Sequence, residues 1–241
     1  MDNLYLFIFL ALLAEIIGTV SGFGSSLLFV PIASYFFDFH SVLGITALFH
    51  LSSNISKIYL FKRGIDWKLV LKIGIPAIVF VSFGAYLSKY LTTNYLEIGL
   101  AIFLIAVSLL FLIVQNIQLK PNLFNALAGG SISGFVAGLV GTGGAVRGIT
   151  LAAFSLEKNT FIATSALIDF FIDASRSVVY FNNGYMHKHD LFLVPILLVV
   201  SIVGTLAGKK ILNYVSEQNF KKIVLYTVLI VGISTLLKVI A

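Results

Sequence analysis

The sequence predicts an all-α polytopic membrane protein. It reads as two inverted repeats, each a glycine-tipped re-entrant helical hairpin followed by three transmembrane helices. Three observations predict this. Apolar residues make up 59% of the 241 and charged residues 11%, against roughly 45–50% and about 25% in soluble domains. Mean hydropathy is +1.03, and several apolar runs approach the ~20 residues that cross a bilayer core. Two uncharged glycine-rich breaks, Gly22-Phe23-Gly24-Ser25-Ser26 and Gly141-Thr142-Gly143-Gly144, stand at matching places in the two halves. A chain so poor in charge lacks the polar surface of a soluble domain. That excludes a cytosolic enzyme, a nucleic-acid binder and a peripheral protein.

From the N-terminus the hydropathy pattern gives ten apolar segments. The first, 4–21, has only Asp2 before it and no basic stretch, so no cleavable signal is expected and the span stays in the protein. Segment 25–37 opens at the first glycine break. At ~1.5 Å per residue it reaches only ~20 Å, too little to cross. Segments 41–61, 68–89 and 95–116 are long enough to span, divided by Lys62-Arg63-Gly64 and Thr92-Thr93-Asn94. After Lys120-Pro121-Asn122 the pattern starts again. Segment 122–140 leads to the second break, 143–156 is the second short piece, and 160–182, 189–211 and 219–240 are spans.

A shift of 119 places Gly22 on Gly141, Gly24 on Gly143, His50 on Asp169, Asn54 on Asp173, Lys57 on Arg176 and Pro76 on Pro195. A shift of 120 matches Gly64 to Gly184, Gly84 to Gly204 and Lys89 to Lys209. The chain is therefore expected to form one transmembrane domain, 1–241, with repeat 1 at about 1–118 and repeat 2 at about 119–241. Short, glycine-interrupted segments at corresponding positions of two halves point to a transporter's binding site.

Charge decides between two ways of folding the breaks. Lys and Arg total 16, Asp and Glu 10, a net charge of +6. If each break only kinks one long span, the thirteen bases outside membrane depth divide seven to six. If each break is a hairpin tip, Lys62, Arg63, Lys68, Lys72, Lys120, Lys158, Lys209, Lys210, Lys221 and Lys222 share one side. Lys89, Lys188 and Lys238 then face the other. The positive-inside rule selects the hairpins, with inverted halves and both termini outside.

Non-helical backbone at membrane depth survives only where protein or a water-filled cavity satisfies it. Each tip opens a short helix whose free N–H groups favour an anion. Gly22, Gly24, Gly141, Gly143 and Gly144 form the tips, and Ser25, Ser26 and Thr142 can cap those helices or donate hydroxyls to a ligand. His50, Asn54 and Lys57 share one helix face by their spacing of four and three, and Asp169, Asp173 and Arg176 repeat it. Ionisable groups at this depth mark a pathway or a site; the plain alternative is two packed polar clusters. Arg147, four residues past Gly143, needs either a carboxylate such as Asp169 or Asp173 or an anionic ligand held by its planar fork. Glu15, on the first hairpin arm, is a buried partner or a proton carrier.

No cysteine is present and His187 and His189 flank Lys188 in a polar loop, so no metal centre, cofactor or catalytic cluster is expected. At the residues named above the chain resembles the sulfite exporter TauE/SafE family over essentially its whole length. Gly22 to Pro31 resembles the family's first motif, with Phe23 and the serines replacing some of its glycines. Gly138 to Gly144 resembles the second, and Gly64-Ile65-Asp66-Trp67 its loop. The departure follows the second motif, where Arg147, Gly148 and Thr150 replace an apolar run ending in proline.

The resemblance implies transport of small anions, notably sulfite or organosulfonates. The expected function is a secondary transporter, an exporter of sulfite, an organosulfonate or a small carboxylate. The tips and Arg147 would hold the anion, and Asn54, Lys57 and Arg176 would flank it. A proton- or cation-coupled importer is the alternative, with His50, Asp169, Asp173 or Glu15 as the coupling group. The expected setting is the plasma or inner membrane, with the lipid bilayer, the anion and a second copy in a homodimer as partners. A membrane-embedded enzyme and a transport-inactive interaction subunit are the other classes considered.

Overall fold

The computed structural model describes residues 2–61, 64–114, 119–187, 192–212, 214 and 217–240, without the side chains of 2 and 217–221. Among the described residues there are ten α-helices and no strand. They are α1 (Asp2–Ser21), α2 (Ser26–Ala33), α3 (Phe39–Leu60), α4 (Trp67–Ser88) and α5 (Thr93–Ile113), then α6 (Leu123–Val140), α7 (Gly144–Ala152), α8 (Lys158–Asn182), α9 (Leu193–Ile211) and α10 (Glu217–Ile240). Each apolar segment has become one helix. Lys62, Arg63, Lys188 and His189, which the charge and histidine readings used, lie outside the described residues.

Polar residues set the helix starts. The Asp38 carboxylate accepts from the N–H groups of His40 and Ser41 at 3.0 and 3.4 Å and opens α3. Asp66 does the same for α4 through Leu69 N–H at 3.0 Å, and Asn122 for α6 through Asn125 N–H at 2.8 Å. Gly141 closes α6 at φ 82°, a left-handed cap that disfavours any Cβ.

Among the described residues six helices are long and apolar enough to cross a membrane: α1, α4, α5, α6, α9 and α10. The chain is an integral, multi-pass membrane protein. Helices α3 and α8 fall short in composition, not in length, since 22 and 25 residues reach ~33 and ~37 Å at ~1.5 Å per residue. They carry the polar faces, and those faces are buried inside the bundle: His50, Asn54, Lys57, Asp173 and Arg176 are each at most 9% exposed. The outer surface of α4, α5, α9 and α10 is apolar, with Phe83, Ile102, Val199 and Ile230 all exposed. That is the side a lipid core can cover.

The most extensive contacts join α4 to α6, α5 to α10, α3 to α8 and α1 to α9. Helices α4 and α6 run the same way, because a Cβ at Gly130, Gly134 or Gly138 would strike the backbone carbonyl of Ile73, Ala77 or Val81 in turn. This stripe of small residues at every fourth position lets two backbones touch. Helices α1 and α9 also run together, with Glu15 against Gly204 and Thr19 against Gly208. Helices α5 and α10 run oppositely, with Leu104 beside Gly232 and Glu97 bonded to Lys238. Within each glycine-broken pair the second helix turns back along the first. Phe7 of α1 packs on Phe29 and Phe37 at 5.9 and 5.0 Å between ring centres, and Gly129 of α6 packs on Thr150 of α7.

Candidate functional site

The two glycine breaks meet inside the bundle. Thr142 Oγ1 donates to Ser26 Oγ at 3.0 Å, and Gly144 lies so close to the Phe23 carbonyl that a Cβ would collide with it. Beside them is a cavity of about 30 Å³. Gly24, Ser25 and Ser26 line it from the first break, and Gly141, Gly143, Gly144 and Arg147 from the second. Helix α3 contributes His50, Ser53, Asn54 and Lys57; α8 contributes Asp169, Asp173 and Arg176. Three expected site residues, Gly22, Thr142 and Glu15, are not on the wall. Gly22 turns the chain at φ 75° away from the cavity lining, and Thr142 spends its hydroxyl on Ser26.

The expected caps are corrected as well. Ser25 occupies the cap position of α2, but its backbone is already helical (φ −72°, ψ −18°) and no cap hydrogen bond forms. Its hydroxyl instead donates to Glu15 Oε2 at 2.6 Å. For α7 the cap position is Gly143, which has no side chain to offer.

Each buried cation has one carboxylate. Lys57 Nζ lies 2.8 Å from Glu15 Oε1, Arg176 Nη2 lies 2.7 Å from Asp173 Oδ1, and Arg147 Nη1 pairs with Asp169 Oδ1. Glu15 is fully enclosed. Besides Lys57 it accepts from Ser25, Ser53, Thr19 and Thr205. Glu15 is thus a buried partner of Lys57, one of the two roles its sequence left open. The free positive field expected from Lys57 and Arg176 is not there, because both charges are matched at contact distance.

Arg176 is committed further. Nε donates to Asp173 at 2.8 Å, and Nη1 donates to the Ala137 and Gly141 carbonyls at 3.1 and 2.9 Å. Nη2 faces Asp173 and His50 Nδ1, the latter at 3.4 Å. A guanidinium has five N–H groups, and these contacts use them all. Its work is to tie down the end of α6, where the Ala137 carbonyl also accepts from Gly141 N–H and Tyr180 Oη. Because His50 Nδ1 accepts from Arg176, the ring proton sits on Nε2, which donates to Ser25 Oγ at 3.1 Å. An unbroken hydrogen-bonded line therefore runs from Arg176 through His50 and Ser25 to Glu15. Asn54 Nδ2 donates to Asp173 Oδ2 at 2.7 Å.

Arg147 differs from the other two cations. Nε donates to Ser165 at 3.1 Å and Nη1 pairs with Asp169. Among the described residues its five N–H groups meet two side-chain partners, Ser165 and Asp169, and the residue lines the cavity at 3% exposure. Ser53, Ser165 and Thr205 are the site residues that reading the sequence missed. The signal for the first two was available: each precedes a charged residue, Lys57 or Asp169, by one helical turn on the same face. Nothing in the sequence singles out Thr205.

An all-helical membrane bundle with glycine breaks meeting at a buried polar cavity defines a membrane transporter. Residues 7–235 match the family described as sulfite exporter TauE/SafE, and the chain belongs to that family. It is 27% identical, over 90% of its length and 89% of the relative's, to a protein of Methanocaldococcus jannaschii named "probable membrane transporter protein". No solved structure matches it.

Proposed function

We propose that the chain exports a small anion, such as sulfite, an organosulfonate or a small carboxylate, by alternating access around the two glycine breaks. The observation that carries this is Arg147, a buried cation on the cavity wall whose five N–H groups meet two side-chain partners, Ser165 and Asp169, among the described residues. A planar fork of donors is what binds an oxyanion. The neighbouring N–H groups at the start of α7 add their partial positive charge. Two inverted repeats, 1–118 and 119–241, with each broken pair a re-entrant hairpin, make up the frame. This is supported by Phe37 returning to the level of Phe7, and by α5 running opposite to α10, its counterpart in the second half. Export of a net negative charge from an inside-negative cell is favoured by about 2.3 kcal/mol per 100 mV.

The test is binding of sulfite, methanesulfonate, thiosulfate and acetate to the purified protein, followed by efflux from loaded proteoliposomes. At least one anion should bind. Arg147→Lys keeps the charge and loses the fork, so affinity should fall by about 1.5–3 kcal/mol. Unchanged affinity in that variant would remove Arg147 from the site.

A further inference from the structure

We infer that the anion crosses together with one proton, carried on Asp169; this rests on the anion reading above. The charged side chains of the site balance one another, with Lys57, Arg147 and Arg176 matched by Glu15, Asp169 and Asp173. The cavity, about 30 Å³, is walled by these already matched charges apart from Glu15. A monoanion on Arg147 adds one uncompensated negative charge enclosed at membrane depth, and a dianion two, which is costly. One carboxylate must become neutral.

The three carboxylates are not equally able to do so. The Glu15 side chain is fully enclosed and holds Lys57 with four hydroxyls. Asp173, 5% exposed at its side chain, has Arg176 on Oδ1 and Asn54 on Oδ2. Asp169 is 20% exposed at its side chain and lines the cavity, and among the described residues Arg147 is its one ion-pair partner. It also shares its one cation, Arg147, with the incoming anion. The charged and titratable groups around Asp169 are Arg147 on α7, Lys57 and His50 on α3, and Asp173 and Arg176 on α8. Among the described residues only Arg147 of these forms an ion pair with it.

The step balances simply. A proton from the aqueous side bonds to Asp169 Oδ2, the carboxyl gives up Arg147, and the guanidinium passes to the anion. Release on the far side reverses each event. A monoanion moving this way carries no net charge, so its direction follows the proton and anion gradients. A dianion still moves one negative charge, and voltage still favours its export.

Methanesulfonate and thiosulfate test this, because both are fully ionised at neutral pH and bring no proton of their own. Calorimetric titration of the purified protein in buffers of different ionisation enthalpy counts the protons taken up per anion bound. About one is expected in the wild type, with affinity falling about tenfold per pH unit over the range where unliganded Asp169 is charged. Asp169→Asn should bind with no proton uptake and little pH dependence, and Asp173→Asn should still take up one. Binding to the wild type without proton uptake would overturn the coupling and leave the anion site standing, and this holds even if the variants do not fold. Equal uptake in Asp169→Asn would move the proton elsewhere and overturn the assignment. Binding of neither probe would overturn the anion reading and the coupling with it.

Discussion

Asn54 and Asp173 are bonded to each other at 2.7 Å, and they stand 119 positions apart, the shift that superposes the two glycine breaks. In the proposed two-repeat arrangement, equivalent residues that touch lie on the axis relating the halves. Asn54→Leu should leave Asp173 Oδ2 buried without a donor, at a cost of about 1–3 kcal/mol. Thermal unfolding in detergent reads this as a lower Tm, and an unchanged Tm would show that water replaces Asn54.

The two buried arginines should separate by assay. Arg176→Lys loses the grip on the Ala137 and Gly141 carbonyls and should lower Tm more than Arg147→Lys does. Arg147→Lys should weaken anion binding more than Arg176→Lys does. A common ranking in both assays would contradict the division between a helix clamp and a ligand-facing cation.

Backbone contact between α4 and α6 makes its own prediction. Gly134→Ala would drive a methyl group into the Ala77 backbone and should destabilise by about 1–3 kcal/mol. At Gly148 the nearest atom to such a methyl is 3.6 Å away, so Gly148→Ala should be neutral or slightly stabilising. Both are read by unfolding in the same detergent.

All ten helices were legible in the sequence because breakers and polar clusters such as Lys120-Pro121-Asn122 interrupt otherwise continuous apolar runs. The shared faces of α3 and α8 were legible for the same kind of reason, since spacing along one helix fixes direction. What spacing cannot give is which face meets which across helices. Glu15 reaches Lys57 only because Gly204 of α9 leaves room for its stem, a Cβ there lying 2.8 Å from Glu15 Cβ. The saturation of Arg176 is equally invisible, because three of its partners are backbone carbonyls or lie on another helix.

The halves are not chemically alike, and this bears on stoichiometry. The shift of 119 puts Leu28 on Arg147, Thr46 on Ser165 and His50 on Asp169. The first half keeps the hydroxyl, and Thr46 Oγ1 is buried with no partner, but it lacks both ions. Binding should saturate at one anion per chain in the same calorimetric titration; a value near two would mean that the first half binds as well.

Topology follows from the loop charges. Single cysteines at Thr92 and Asn183 should be labelled from outside, and at Asp66, Lys120 and Glu157 from the cytoplasm. The chain has no cysteine of its own to confuse the reading. Labelling of Thr92 and Lys120 from the same side would rule out the hairpin topology.

The crosswise packing of α1 on α9 and of α4 on α6 has a mechanical consequence. Each half of the chain lends a helix to the other, so the two halves are interlaced and neither can swing as a block. The packing groups helices of both halves: α1, α2, α3 and α9 on one side of the cavity, α4, α6, α7 and α8 on the other. Their seam runs between Asn54 and Asp173 and between Ser26 and Thr142. Opening the cavity between these groups would part Asn54 from Asp173, Ser26 from Thr142 and His50 from Arg176, together with the packing of α3 on α8.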